Sequence, residues 1–434
     1  MVAPATTAIV RLWGQDVGAV SWLPDRDLAA FEFEPRFLAR GLDIAPLAMP
    51  RHAASGQVFA FPTLSRETFL GLPGLLADAL PDKFGNALID MWLTRTGRAI
   101  ADFSPVERLC YVGDRGMGAL EFRPALNTGL KRRATVDVAE LVELAREVMA
   151  ARRRLDTHIG GGDGPDAEAL RDILRVGTSA GGARAKAVIA MDSAGRIVSG
   201  QGLAPAGYDY WLLKFDGVTD LELHKTQDYG RIEYAYSRMA HAAGIVMSEC
   251  RLLKENGRAH FLTKRFDRGK DGKRHLQSLC GLAHYDFNAP GAYGYEQVFA
   301  VMRALRLPRA QAVQQYRRML FNVVARNQDD HTKNIAFLMD PDGQWQLAPA
   351  FDVMYAHNPG GHWTSRHQMT INGKRDGFTR TDLLTVGRSL GIHGPDRVLE
   401  EIVDSVAQWP DYAREAGVHP IRIREIEDTL RLAW

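Results

Sequence analysis

The stretch Arg326-Asn327-Gln328-Asp329-Asp330-His331-Thr332-Lys333-Asn334 constrains this chain more than any other. Upstream, Val313, Tyr316, Leu320, Val323 and Val324 recur at helical spacing and predict a helix over 313–324. Downstream, the apolar run 335–339 is long enough for one buried strand. A polar loop held between two packed elements is where catalytic side chains tend to sit, because the scaffold positions residues that the core does not consume.

Asp329 and Asn334 stand five positions apart. A protein-kinase catalytic loop spaces its base and its metal-binding Asn in the same way. Eighteen residues beyond Asn334 lies Asp352, in Leu347-Ala348-Pro349-Ala350-Phe351-Asp352-Val353. A second carboxylate after a strand and turn suits a metal-bound nucleoside triphosphate, since Mg²⁺ takes oxygen ligands and binds one or two carboxylates plus the phosphates. Asp, Asn and His are also ordinary turn residues. Asp-x-x-x-x-Asn alone recurs by chance, so phosphoryl transfer has to be supported by the rest of the chain.

A chain of 434 residues holds two or three core-forming units. Its 54 basic and 52 acidic residues nearly cancel, which excludes a polyanion-binding character for the whole. The basic clusters 131–133 and 152–154 read as solvated helix ends. Cys110, Cys250 and Cys280 are widely spaced and odd in number, which excludes a disulfide framework or zinc spacing built from them alone and fits a reducing compartment. The first residues lack a basic n-region and an apolar core, and no apolar run approaches the ~20 residues of a membrane span. A cytoplasmic protein with no membrane partner is expected.

The first part reads as β-rich. Residues 8–13 and 17–22 predict a hairpin around Gly14-Gln15-Asp16, and 30–34 alternates as a half-buried strand does. Helical patterns at 75–80 and 87–93 are interrupted by Pro81-Asp82 and Gly85. Residues 113–120 form a glycine-rich turn into a strand; no helix opens after them, so a structural turn is expected. Residues 124–131 read as a linker, Thr135 as the N-cap of a helix over 136–151, and 160–165 as a surface connection.

Gly177-Thr178-Ser179-Ala180-Gly181-Gly182-Ala183-Arg184-Ala185-Lys186 precedes a predicted β-hairpin with strands at 187–191 and 196–198. A glycine-rich turn opening a hairpin argues against a Walker A site and suits a kinase-like lid over ATP; a plain hairpin turn fits the same residues. The β-prone run 208–215 carries Lys214, placed to reach ATP phosphates in a kinase-like fold, or else to snorkel or lie at a strand edge. A helix over 232–243 brings Glu233 either as a partner for that lysine or as a first-turn acid. Residues 252–253 and 259–263 predict paired strands. Glycine turn, strand lysine, helix, strand pair and helical half follow the order of a kinase. An α+β, bilobal, protein-kinase-like fold is expected, with a β-rich N-lobe, a helical C-lobe and a small β-rich N-terminal subdomain. The domains fall at 1–125, 135–266 and 267–434.

Four stretches resemble the HipA family of bacterial toxin serine/threonine kinases: 179–186, Phe266-Asp267-Arg268, 329–334 and 347–352. Leu80-Pro81 and Gly118-Ala119-Leu120 fit that family's N-terminal domain. The resemblance implies Mg²⁺ and ATP as cofactors, Asp329 as catalytic base, and Asn334 and Asp352 as metal ligands. It implies ATP contacts from Lys214, Ser179, Ala180, Gly181, Gly182, Ala183, Arg184, Lys186, Arg265, Phe266, His331, Lys333, Asn334 and Asp352. The segment after Thr263 would face adenine through its backbone. Ser179 falls at the family's autophosphorylated serine, whose modification inactivates the enzyme. The implied partners are a HipB-like helix-turn-helix antitoxin, DNA only through that antitoxin, and a protein substrate, for which aminoacyl-tRNA synthetases are the family precedent. Two departures stand out: Asp330, where a small residue is common, is left to metal or to solvent, and Lys264 stands where the family often has Glu. A small-molecule kinase and a catalytically silent regulator of a DNA-binding partner are the alternatives. Intact Asp329, Asn334, Asp352 and Lys214 weigh against the second.

Overall fold

The computed structural model describes residues 5–81, 83–95, 97–125, 137–143, 145, 146, 185–216, 228–269 and 271–434. The expected linker beyond residue 125, the basic clusters 131–133 and 152–154, Thr135, the 160–165 connection and Gly177 to Arg184 lie outside the described residues. The chain divides into two compact units, one drawn from Met1–Asp43, Arg51–Gly230 and Arg251–His275, the other from Ile44–Pro50, Arg231–Cys250 and Leu276–Trp434.

In the first unit, strands β1 (Thr7–Leu12), β2 (Gln15–Leu23), β3 (Leu28–Phe33), β4 (Val58–Phe59) and β5 (Leu120–Arg123) form an antiparallel sheet of order β4-β3-β2-β1-β5. The alternation read at 30–34 holds, with Phe31 and Phe33 buried and Glu32 exposed. The first hairpin turns at Trp13-Gly14, not at Gly14-Gln15-Asp16. Both turn residues have positive φ, 48° and 79°, the backbone a two-residue hairpin needs to match strand twist, so Gln15 and Asp16 already belong to β2. Gly85 does not interrupt its helix, which runs Lys83–Arg95; buried Leu88, Ile89 and Leu93 hold it to the core at greater gain than the ~1 kcal/mol a helical glycine costs. Among the described residues a helical stretch begins at 138, where Asp137 Oδ1 accepts the Ala139 and Glu140 N–H groups at 2.8 and 3.4 Å.

The second sheet of this unit contains β6 (Lys186–Met191), β7 (Ile197–Ser199), β8 (Asp209–Lys214), β9 (Cys250–Glu255) and β10 (Arg258–Lys264), in the order β7-β6-β8-β10-β9, and a two-stranded ribbon of β11 (Arg268–Gly269) and β12 (Gly272–Lys273) follows. Its core joins Ala187, Ile189, Trp211, Leu213 and Leu262 to Leu141, Val142 and Ala145.

The second unit is mainly helical. Among the described residues its α-helices are Tyr229–Ala242, Leu279–Ala283, Tyr295–Ala304, Arg309–Val324, Arg380–Ser389, Pro395–Ala407, Trp409–Ala416 and Pro420–Glu427. A three-stranded sheet, in order β13 (His275–Ser278), β14 (Ala336–Met339), β15 (Trp345–Leu347), completes it. Tyr236, Tyr295, Tyr316, Phe321 and Trp409 are buried in one core; leaving water stabilises the fold by roughly 1.5–3 kcal/mol for each such side chain. The buried Gln277 amide donates to the Ile44 carbonyl at 3.0 Å, which ties residues 44–50 into this unit. Among the described residues no helix is long and apolar enough to cross a membrane, and Cys110, Cys250 and Cys280 are all free thiols.

Candidate active site

The helix Arg309–Val324 and the fully buried strand β14 bracket the polar loop, as its flanking patterns predict. The helix stops at Ala325, whose carbonyl accepts the Tyr236 hydroxyl at 2.7 Å, and Arg326 turns the chain with φ 57°. Arg326 Nε donates to Thr429 O at 2.6 Å, Gln328 N–H to Ala356 O at 3.0 Å, and Thr332 Oγ1 to Tyr285 O at 2.7 Å. With its backbone tied at both ends, the loop presents its side chains from a fixed frame.

Asp329 keeps 41% of its side-chain surface open. Its Oδ1 accepts the Trp363 indole N–H at 2.6 Å, and His331 Nε2 lies 3.7 Å from the same oxygen. Burial raises its proton affinity, and the charges of Asp352 and Asp330 add to this, against the opposing pull of His331 and Trp363; the net direction is up. A carboxylate more basic than usual suits a proton acceptor. Asn334 Nδ2 donates to the Asp329 carbonyl at 2.8 Å, so this amide commits its donor end to the loop and keeps its oxygen as an acceptor.

Asp330 neither faces solvent nor serves as an open ligand. Only 1% of its side chain is exposed. Oδ2 accepts the Tyr295 hydroxyl and meets His367 Nδ1, both at 2.9 Å, while Oδ1 accepts the Gln368 N–H at 2.8 Å. Burial alone would raise its pKa, but these partners hold it below the usual carboxylate range. Adjacent aspartates thus have different environments: Asp329 stays partly open, while Asp330 is enclosed by Tyr295, His367 and Gln368.

Asp352 sits in left-handed backbone, φ 51°, uncommon for a residue with a side chain. The segment before it is fastened by Ala348 N–H to Ala336 O at 2.9 Å, Ala350 N–H to Val246 O at 2.8 Å, and Arg318 Nη2 to Ala348 O at 2.8 Å. Burial brings the Arg318 pKa down to about 9, which leaves it charged at neutral pH. The Asp352 charge is felt at Asp329. The Asn334 oxygen and the Asp352 carboxylate are hard donors of the kind Mg²⁺ takes. Among the described residues no group of three or more His, Cys, Asp or Glu side chains is gathered for a metal ion. Beside the loop, Lys333 Nζ lies 4.9 Å from the Phe287 ring centre, and the His331 ring lies 5.4 Å from the same ring.

In the first unit, Lys186 and Lys214 are register partners across β6 and β8, only 2% and 4% exposed. Lys214 Nζ lies 5.8 Å from the Phe261 ring, so it is neither snorkelling nor at a strand edge. Lys264, the departure at the expected hinge, pairs with Asp209 at 2.7 Å. Arg265 turns inward to Asp267, at 2.9 Å through Nε and 2.7 Å through Nη2, and half-buried Phe266 lies between them in sequence. Ser179, Ala180, Gly181, Gly182, Ala183 and Arg184 lie outside the described residues. Glu233 is not a first-turn acid: its helix begins at Tyr229, which puts this buried carboxylate one turn in.

The sequence reading missed Trp363, Tyr295, His367 and Gln368. No spacing marks them, although a Trp in the polar run His362-Trp363-Thr364-Ser365-Arg366-His367-Gln368 is a visible anomaly.

Fold and loop chemistry together define an α+β protein of the kinase-like class. The family model described as HipA-like C-terminal domain matches residues 178–412, and that of the HipA N-terminal domain matches residues 8–123. The chain belongs to the HipA family. A solved structure titled as the Shewanella oneidensis MR-1 toxin–antitoxin system HipA, HipB and operator DNA complex has a chain similar to this one, with TM-score 0.64 and 16% identity over 97% of this chain and 95% of that one. The Helicobacter pylori proinflammatory kinase CtkA is a looser likeness, with TM-score 0.34 and 13% identity over 51% of this chain and 88% of that one. No curated protein sequence matches the chain.

Proposed function

We propose that the chain is a HipA-type serine/threonine kinase, moving the γ-phosphoryl group of MgATP to a hydroxyl of a protein substrate. The observation that carries this is the pairing of half-open Asp329 with Asn334, whose amide spends its N–H on the Asp329 carbonyl and keeps its oxygen. In this assignment Asp329 accepts the proton of the attacking hydroxyl. Lys214 and Lys186 would contact the ATP phosphates, with further ATP contacts from the main chain at Arg265 and Phe266 and from His331 and Lys333. Asn334 and Asp352 would hold Mg²⁺, which would supply charge neutralisation for the transferred phosphoryl group. The expected setting is the cytoplasm. The expected partner is a HipB-like helix-turn-helix antitoxin that carries the contact with DNA; this rests on family membership and on the partner in the Shewanella complex. An aminoacyl-tRNA synthetase is the first substrate to assay.

Calorimetry with ATP and Mg²⁺ tests the site. The parent should bind the nucleotide, and Asp352→Ala should bind it at least about tenfold more weakly, a loss of about 1.4 kcal/mol. Equal MgATP binding by parent and variant refutes the metal assignment.

Self-inactivation is the regulatory part of this reading. A phosphate on Ser179 brings about −1.5 to −2 charges at neutral pH, which opposes a nucleotide triphosphate beside it. Incubated with MgATP, the parent should gain one phosphate in the peptide 178–186 and lose activity, while Ser179→Ala stays unmodified there and active. Mass spectrometry that places no phosphate in this peptide, while another substrate is being phosphorylated, rules the route out.

A further inference from the structure

We propose that Trp363 is the positioning residue of the candidate base: its indole N–H holds Asp329 Oδ1, so that Oδ2 alone is presented to a substrate hydroxyl. The inference rests on the reading of Asp329 as base and deepens it. The Nε1–Oδ1 separation of 2.6 Å is that of a strong, charge-assisted hydrogen bond. The other nearby donor, His331 Nε2, approaches the same oxygen at 3.7 Å, so both point to one side of the carboxylate. The main chain beneath is fixed separately, through Asn334 Nδ2 to the Asp329 carbonyl at 2.8 Å.

The main chain of Trp363 is in turn tied, through Gln368, to the neighbouring aspartate. Asp330 Oδ1 takes the Gln368 N–H, and the two side-chain N–H groups of Gln368 are shared among the carbonyls of Trp363, of Arg366 at 3.0 Å and of Gln328 at 3.2 Å. Tyr295 and His367 hold the other Asp330 oxygen. The His331 and Trp363 rings meet edge-on at 6.3 Å. The two adjacent carboxylates therefore divide the work. Buried Asp330 anchors the segment 363–368, and that segment returns an N–H to half-open Asp329. Without the indole, Asp329 would swing about its terminal torsion, a broad and shallow well, and the acceptor oxygen would spend less time aligned with the hydroxyl.

Two measurements on the full chain test this. The chain has 8 Trp residues, and the indole cross-peak absent from the nitrogen–proton spectrum of Trp363→Phe identifies Trp363. That peak should lie downfield in the parent and move upfield in Asp329→Ala. In phosphoryl-transfer assays Trp363→Phe and Trp363→Met should each lose about 10–100-fold in kcat, the scale set by small misplacements of reacting groups, with KM for ATP within about twofold of the parent. An indole peak indifferent to Asp329→Ala, or a parental kcat in both variants, overturns the proposal. So does a loss of MgATP binding that matches the loss of kcat, since that would mark a structural role. A parent that transfers no phosphate to any acceptor removes the functional reading; an indole peak that still responds to Asp329 would then be a structural hydrogen bond without a base to position.

Discussion

Asp329→Asn is expected to lower phosphoryl transfer by about 10²–10⁴-fold, the range that a positioned general base contributes. The substitution keeps shape and an acceptor for the Trp363 N–H but removes the oxygen that takes the proton. Folding should be nearly indifferent, because the side chain is 41% exposed and among the described residues no Lys or Arg is ion-paired with it. The melting temperature should stay within about 2 °C of the parent, as a surface change within ±0.5 kcal/mol gives for a chain of this size. Initial rates of phosphate transfer and a thermal melt on the same preparation check both halves. Undiminished transfer by the variant removes Asp329 as the base, and a collapsed melt would show a structural carboxylate instead.

Asp267→Ala should act in the opposite way, on the fold of the first unit. The Asp267 carboxylate is fully buried and accepts Arg265 Nε and Nη2, Arg268 Nη1 at 2.6 Å and the Gly118 N–H at 2.7 Å. The same arginines donate to the Gly116 and Gly118 carbonyls. The glycine-rich turn read at 113–120 is therefore a structural clasp between the first sheet and the chain after β10. Removing the carboxylate strands two buried guanidinium groups beside one another, and breaking a buried pair costs about 3–5 kcal/mol. Burial alone would raise the Asp267 pKa, but Arg265 and Arg268 outweigh it and hold the group far below the usual carboxylate range. With the folded pKa depressed, this stabilisation is complete above an unfolded pKa of about 3.9 and fades only as pH falls below it towards the folded value. Denaturant unfolding at neutral pH measures the loss. A midpoint equal to the parent's would mean that the network is not a net stabiliser, and the gap between parent and variant should narrow in strong acid.

The alternation at Phe31, Glu32 and Phe33, the helix ending at Val324, the buried strand β14 and the spacing of Asp329, Asn334 and Asp352 were all legible in the sequence, because each follows from the periodicity or chemistry of neighbouring residues. So was membership of the HipA family, carried by four short stretches and matched by domain models at 8–123 and 178–412. Local chemistry was not enough where the deciding partner is remote. Asp330 looks like a loop carboxylate beside Asp329, yet its environment comes from Tyr295, His367 and Gln368, all more than thirty residues away. Trp363 reaches Asp329 across 34 positions, and Asp267 reaches Gly118 across 149. Glu233 and Gly85 were misread because helix boundaries depend on which residues the core buries, not on their own propensities. The sequence by itself determined which residue types stand ready in the loop. Tertiary structure alone decided which carboxylate is open and which is buried, since burial and hydrogen-bond partners, not residue identity, set how a carboxylate holds its proton.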